Sequence, residues 1–396
     1  MKVLWVATKP PWPPIDGGRV LMWYTLAALA HRGVDLTLVA PADRDADTRA
    51  VAQLQSYCHP VLVPVRHRTR VWSFARAFGK GAPFTITHHR LDRIRDQVAA
   101  LLSNESFDLV HAEQAHAIAN CEPALVKEVP VIFRAQNVES DLWESMAAHK
   151  VALGPLLLRE ARRHRAWEAE ALQRSEAAIA LTKRDAARLR LLTNRPGDVH
   201  HVAAPFPSEL VPSGSCKLGG EPAVVLFGSS GWAPNRDGAR WFIGKIWPTI
   251  SNRLPNAVLH VFGGPAFRSS RPDVVHHAAP RESAEAFSPR AILVVPLRIA
   301  SGVRIKILEA WARSIPVIAT REAAEGLEAA DGSELMIAKD AIEFANAIER
   351  FHRQRGLREA VTSCARKKLR AEHDPASIAE KLVAVYQSAL TTPKAR

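Results

Sequence analysis

The segment SGVRIKILEAWARSIPVIAT, residues 301–320, places two cations at the start of a predicted helix. We expect this helix to begin at Ser301 and to carry Arg304 and Lys306 in its first turn, with Glu309 one turn later. Positive charges in a first turn oppose the helix dipole, which favours anions there. Arg can contact two phosphate oxygens at once, Lys supplies a compact charge, and free N–H groups at a helix start bind phosphate. The segment therefore predicts a phosphate site.

Two neighbouring residues extend this interpretation. Gly302 lets the backbone approach a ligand closely. Glu309 lies too far along the helix to be an N-terminal cap, and a carboxylate at that position suits hydrogen bonding to a diol such as a ribose. The alternative is an i,i+3 ion pair between Lys306 and Glu309, of about 0.2–0.5 kcal/mol, which would leave Arg304 unexplained.

Short β-rich runs alternate with helical segments along the whole chain. Strands separated by helices cannot form hairpins, so the pattern predicts parallel sheets with crossover helices. The predicted strands are 2–8, 34–41, 61–65, 107–113, 129–136, 176–182 and 199–205 in the first half, then 223–230, 257–264, 291–297, 316–320 and 335–338 in the second.

The Pro-, Gly- and Ser-rich segment 205–222 has no periodicity and is the best candidate linker. We therefore expect an α/β protein with two Rossmann-like, doubly wound parallel-sheet domains facing across a cleft, at residues 1–205 and 206–374. A helix over 375–396 would pack back on the first domain. Parallel sheets bind ligands at the carboxyl ends of their strands, so the cleft is the expected site.

Composition narrows the setting. Four cysteines lie far apart without metal-like spacing, and no apolar run approaches membrane-spanning length, which favours a reducing cytoplasm. The net charge of +13 fits a basic surface that attracts anionic lipid headgroups or phosphorylated substrates, or an arginine-rich composition with no such partner. No nucleic-acid-binding motif accompanies the charge. The stretch 66–95 mixes arginine with four large aromatics. It fits a membrane-contacting surface or an ordinary helical insertion equally well.

Several motifs occur in an order that resembles family-4 retaining glycosyltransferases with the GT-B fold. The strongest is PLRIASGVRIKILEAWARSIPVIATREAAEGL, residues 296–327, similar to the donor-site signature of that family. The others are DGGR (16–19), QNVES (136–140), ALTKRDAARL (180–189) and GSSGWAPNRDGARWF (228–242).

The resemblance implies roles for individual residues. Glu309 matches the second Glu of the family's E-x7-E motif and would hold the ribose of a nucleotide sugar, while Arg304 and Lys306 would bind its diphosphate. The other implied donor-binding residues are Gly17, Gly18, Arg281, Ser301, Gly302, Val303, Glu325, Gly326 and Leu327.

Two positions depart from the family pattern. Ser301 stands where the first Glu of the motif is usual, so sugar contacts would come from backbone N–H groups of 301–303. Gln136 stands where His is frequent and cannot act as a base. His116 and Glu113 are nearby substitutes, and the implied catalytic set is Arg304, Lys306, Glu309, His116 and Gln136.

The implied reaction transfers a sugar, with retention, to a glycan or lipid-linked acceptor in polysaccharide or glycoconjugate biosynthesis. Neither a cofactor nor a metal is expected, because Arg304 and Lys306 would neutralise the diphosphate. The Asp-x-Asp pattern of metal-dependent transferases occurs only in DRDAD (43–47), which we interpret as a loop and helix start in the first half of the chain. We expect a cytoplasmic protein. Its candidate partner surface is the inner face of the cytoplasmic membrane, and we expect no nucleic-acid partner. A nucleotide-sugar epimerase and a non-catalytic partner subunit remain as alternatives.

Overall fold

A computed structural model describes residues 1–42, 48–65, 82–210, 218–264, 267, 269–278, 280 and 283–391. Four features considered above therefore lie outside the described residues: the DRDAD run, the first part (66–81) of the basic aromatic stretch, the centre of the candidate linker (211–217) and Arg281.

The first domain is built on a seven-stranded sheet in which every neighbouring pair is parallel. Its order is β3-β2-β1-β4-β5-β6-β7. The strands are β1 Lys2–Val6, β2 Asp35–Ala42, β3 His59–Pro64, β4 Leu109–Glu113, β5 Val131–Ala135, β6 Ala177–Ala180 and β7 Val199–His201.

Helices connect these strands and cover both faces of the sheet. They are α1 Gly17–His31, α2 Thr48–Gln55, α3 Phe84–His89, α4 Asp92–Asn104, α5 Glu122–Val126, α6 Glu139–His149, α7 Gly154–Arg174 and α8 Lys183–Arg190. The central strand β1 is buried over Val3–Val6, which is why it reads as a continuous apolar run.

The second domain repeats the plan with a six-stranded parallel sheet of order β10-β9-β8-β11-β12-β13. Its strands are β8 Ala223–Phe227, β9 Val258–Phe262, β10 Val274–His277, β11 Ile292–Val295, β12 Val317–Ala319 and β13 Met336–Ile337. Its helices are α9 Ala233–Trp241, continued by a π turn into α10 Trp247–Arg253, then α11 Ile305–Ala312, α12 Arg321–Ala324, α13 Ala341–Arg353 and α14 Arg355–His373.

The last helix, α15 Pro375–Thr391, returns to the first domain. Its apolar residues share one buried cluster with β1 and α1. The Tyr386 hydroxyl lies 2.7 Å from Nδ1 of His111, in the middle of the first sheet. Among the described residues, no helix combines the length and the apolar character needed to cross a membrane.

The predicted fold class, with two Rossmann-like parallel sheets, is confirmed. Two local predictions were wrong. The strand β10 was missed, and the helix expected from Ser301 begins only at Ile305, because Gly302 has a φ of +75°, a left-handed conformation outside any α-helix. Arg304 is consequently the residue before the helix and not part of its first turn.

Candidate active site

A cavity of about 440 Å³ lies between the two domains, where loops leave the carboxyl ends of both sheets. The loop after β1, the ends of β4 and β5, the loop after β8 and the start of α11 form its walls. The lining of the cavity includes Lys9, Asp16, Gly17, Gly18, Gln114, Gln136, Phe227, Gly228, Trp232, Asn235, Ser283, Val303, Arg304, Lys306 and Glu309.

Arg304 is a buried cation that has no anionic partner among the described residues. Its side chain is 5% exposed, and its guanidinium carbon lies 5.1 Å from the centre of the Trp232 ring. Nε has no hydrogen-bond partner, and no ion pair to a described carboxylate reaches the guanidinium. Burial lowers the pKa of Arg304 to about 10, although the more distant Asp185 acts in the opposite direction. A negative charge in the cavity would relieve this desolvation.

Lys306 is a second cation that pairs with no described carboxylate, and its side chain is half-buried. Its Nζ donates to the carbonyl oxygen of Phe227 at 2.5 Å and to Oδ1 of Asn235 at 3.1 Å, both neutral acceptors. Burial, followed by repulsion from Arg304, lowers the pKa of Lys306 to about 7. A Cβ on Gly228 would lie 2.7 Å from Nζ, so this glycine makes room for the ammonium group.

Glu309 is held by Ser283 and Arg313 rather than by Lys306. The Ser283 hydroxyl donates to Oε1 at 2.6 Å, and Arg313 donates to the same oxygen at 3.0 Å through Nη2. Burial raises the pKa of Glu309, while Ser283 and Arg313 act against the shift. The Lys306–Glu309 ion pair considered as the alternative is therefore wrong. Among the described groups no donor contacts Oε2, so this oxygen can accept from a ligand.

The opposite wall comes from the first domain. Asp16 caps α1 by accepting from the Arg19 N–H at 3.1 Å, and Lys9 donates to the same oxygen at 2.6 Å. Although burial favours the neutral acid, Lys9 and then Arg19 hold the pKa of Asp16 below its ordinary value. The capped helix begins with Gly17 and Gly18, so its free N–H groups face the cavity.

Gln136 is held in place by the buried carboxylate of Glu113. Its Nε2 donates to Oε1 of Glu113 at 2.8 Å, and its Oε1 accepts from Nε2 of Gln114 at 2.6 Å. Arg134 donates to the other Glu113 oxygen at 2.6 Å, and this pairing keeps the pKa of Glu113 at about 2 despite complete burial. A Cβ on Gly18 would approach Oε1 of Gln136 to 2.8 Å, so the glycine loop rests on this amide.

Ser301 and Gly302 join the two domains and do not line the cavity. The Ser301 hydroxyl accepts from the Val138 N–H at 3.0 Å. A Cβ on Gly302 would lie only 2.2 Å from the backbone oxygen of Gln136. The carboxylate missing at position 301 is thus replaced by a hydroxyl that bridges the domains.

The remaining predicted residues lie outside the cavity lining. Glu325 pairs with Arg184 at 2.5 Å across the domain boundary. Gly326 lies against the Gly302 carbonyl, and Leu327 is buried in the second-domain core. His116 packs edge-to-face among first-domain histidines, with 5.1 Å between its ring centre and that of His89, and burial lowers the pKa of His116 to about 3. The structure does not bring these residues to the cations.

Sequence reasoning missed several polar residues of the cavity: Lys9, Asp16, Gln114, Trp232, Asn235 and Ser283. Asp16 had a signal, because an Asp before Gly-Gly at a helix start is a typical N-cap. Trp232 and Asn235 belong to the segment 228–242, which was recognised as a motif but without individual roles.

Comparisons with known proteins agree with the two-domain fold. Residues 221–354 match the family described as glycosyl transferases group 1. An uncharacterised 44.6 kDa protein in the cps region of Klebsiella pneumoniae is 19% identical over 88% of this chain and 90% of its own length. HepE of Anabaena, solved with UDP-glucose, aligns with a TM-score of 0.64 at 13% identity over 98% of this chain and all of its own.

A further solved structure, WaaG, is described as a glycosyltransferase involved in lipopolysaccharide biosynthesis. It aligns with a TM-score of 0.64 at 16% identity, covering 97% of this chain and 99% of its own. The chain has the two-domain GT-B fold of glycosyltransferases, and its second domain carries the glycosyl transferases group 1 match.

Proposed function

We propose that this protein is a retaining, family-4 glycosyltransferase that uses a nucleotide-diphosphate sugar as donor. The acceptor would be a glycan or lipid-linked molecule in polysaccharide or glycoconjugate biosynthesis. We propose a cytoplasmic location for it, at the inner face of the cytoplasmic membrane.

One observation carries the proposal: beside the interdomain cavity, Arg304 is buried and Lys306 is half-buried, and no described carboxylate pairs with either. Two desolvated cations destabilise a folded protein unless an anion joins them. The diphosphate of a nucleotide sugar supplies that anion. Glu309, one turn beyond Lys306, would then accept from the ribose hydroxyls through Oε2.

The proposed chemistry needs little acid–base help from side chains. The acceptor oxygen forms a bond to the anomeric carbon while the bond from that carbon to the diphosphate oxygen breaks. The acceptor proton passes to the departing phosphate on the same face of the sugar. Arg304, Lys306 and the first N–H groups of α1 would stabilise the charge that grows on the diphosphate, so we propose transfer without a metal.

The relatives support this direction. HepE was solved with UDP-glucose, and also with UDP and glucose, so a chain of similar fold accommodates a nucleotide sugar. WaaG acts in lipopolysaccharide biosynthesis, and the Klebsiella relative comes from a cps region. These names favour a surface polysaccharide as the setting.

The test is a binding screen of UDP, GDP and their sugars, followed by mass analysis of products formed with candidate acceptors. We expect the preferred nucleotide to raise the melting temperature of the wild type but not of Lys306→Met. Lys339→Met, which removes a lysine that is 79% exposed, serves as the matched control and should keep the effect. The absence of nucleotide binding, or equal binding by Lys306→Met, would contradict the proposal. An epimerised nucleotide sugar formed without acceptor would indicate the epimerase instead.

A further inference from the structure

The first two turns of α7 expose an unusual amount of apolar surface. Leu153, Leu156 and Leu158 are 51%, 48% and 42% exposed. They account for three of the nine large hydrophobic side chains that are exposed in the described part of the chain, and they fall within six residues. Single exposed leucines are ordinary on protein surfaces, but a group of three is not. We call Leu153, Pro155, Leu156 and Leu158 the leucine tip.

The exposed charges next to the leucine tip in sequence are positive, and the one acidic residue within 145–162, Glu160, is buried. Residues 145–159, SMAAHKVALGPLLLR, contain no acidic side chain. Lys150, Arg159 and Arg162 are exposed at or next to the tip. Exposed leucines flanked by cations complement a surface that offers apolar chains beneath anionic groups, and an anionic lipid membrane is such a surface.

The leucine tip is also connected to the cavity. Leu157, between the exposed leucines, packs in a small apolar cluster with Trp143 and with Ile299 and Trp232 of the second domain. Trp232 lines the cavity and lies against Arg304. An apolar path thus runs from the exposed end of α7 to the predicted diphosphate site.

We infer that the leucine tip docks on an anionic lipid membrane and brings the cavity close to an acceptor held there. The inference rests on the proposed function for the nature of the acceptor, but membrane binding itself requires no sugar transfer. The membrane contact is assigned to residues 150–162, which the structure describes, and does not depend on the basic aromatic stretch at 66–81.

The experiment is flotation of the full chain with phosphatidylcholine vesicles that contain or lack phosphatidylglycerol. We expect the wild type to float with the anionic vesicles only, and less at high salt. The triple variant Leu153→Ser, Leu156→Ser, Leu158→Ser should lose at least about tenfold in binding, since each leucine contributes apolar area to the membrane contact. The control triple variant Val126→Ser, Leu191→Ser, Ile342→Ser removes side chains that are 83%, 77% and 63% exposed elsewhere, and should bind like the wild type.

A second pair of variants tests the charge. Lys150→Glu with Arg162→Glu should lose about tenfold or more, whereas the same reversals at the exposed Arg366 and Lys367 of the second domain should have a smaller effect. Nucleotide-induced stabilisation should stay unchanged in all four variants, which separates this inference from the donor site. Wild-type protein that does not float, or a leucine-tip variant that binds as well as its control, would overturn the inference.

Discussion

Replacing Arg304 by methionine should make the nucleotide-free protein more stable while weakening nucleotide binding. A structural arginine would behave in the opposite way. The reason is that Arg304 is almost fully buried and, in the described structure, faces an aromatic ring but no carboxylate. Methionine fills a similar volume without a charge, so the folded state no longer has to desolvate a cation.

The magnitude follows from the shifted ionisation of the side chain. Burial lowers the pKa of Arg304 from 12.5 to about 10. At 1.36 kcal/mol for each unit, the charged form loses roughly 3 kcal/mol on folding. Loss of the contact with Trp232 offsets about 0.5–1 kcal/mol of the gain. We therefore expect Arg304→Met to raise the free energy of unfolding by about 2 kcal/mol, or the melting temperature by about 4–8 °C.

Arg298 provides a matched control. It also lies over a tryptophan, with its guanidinium carbon 5.5 Å from the Trp241 ring, but it donates to both oxygens of Asp237 at 2.8 and 3.0 Å. Because this arginine is already paired and partly exposed, Arg298→Met should lower the stability slightly, by up to about 1 kcal/mol.

The assay is thermal melting of the wild type and both variants, with and without the nucleotide that protects the wild type. We expect Arg304→Met to melt higher than the wild type alone and to gain little from nucleotide. Arg298→Met should melt slightly lower and keep the full gain. A lower melting temperature for Arg304→Met together with undiminished protection would refute the reasoning.

Three further predictions concern the same cavity. Because the pKa of Lys306 is about 7, the ammonium form that binds a diphosphate is lost as pH rises. Affinity for a nucleotide sugar, measured by calorimetry, should therefore fall about tenfold from pH 6 to pH 8, whereas Lys306→Arg, which stays charged over this range, should show a flat profile. An equal fall in Lys306→Arg would contradict this. Gly302→Ala should disrupt the contact between the two domains and reduce transfer at least about tenfold, because its Cβ would lie 2.2 Å from the backbone oxygen of Gln136. Gly17→Ala, whose Cβ would lie 3.5 Å from Ile305, should pack normally. A near-normal kcat in Gly302→Ala would contradict this. Glu309→Ala and Lys306→Ala should each lower the rate of sugar transfer by about 10²-fold. If Glu309 holds the ribose, Glu309→Gln should lose the preference for UDP over 2′,3′-dideoxy-UDP. A retained preference would exclude that role.

The fold was predictable because its signal is repeated along the chain. Each buried parallel strand reads as a short apolar run, and the helix between two such runs rules out a hairpin. The edges were less predictable: β10 contains two exposed residues and two histidines, so it lacks the apolar run that marks the central strands.

The cationic side of the site could also be predicted from the sequence. Arg304, Lys306 and Glu309 lie within six residues, so their unusual charge pattern is visible in one short segment. Their partners were not readable. Lys306 contacts Phe227 and Asn235, more than seventy positions earlier, and only the folded sheet brings them together.

The orientation of Gln136 could not be predicted from the sequence either. Its role depends on Glu113 and on the arginine that pairs with that carboxylate, and all three stand at the ends of neighbouring strands. The placement of His116 in a histidine cluster, away from the cavity lining, likewise follows from tertiary packing and left no mark in the local sequence.

The most direct test of the central claim is a crystal structure of the protein soaked with the nucleotide or nucleotide sugar that binds in the screen. We predict that the diphosphate oxygens lie within hydrogen-bond distance of the Arg304 guanidinium and of Lys306 Nζ, with Glu309 contacting the ribose. Phosphates bound elsewhere, or an Arg304 side chain turned to solvent in the complex, would contradict it.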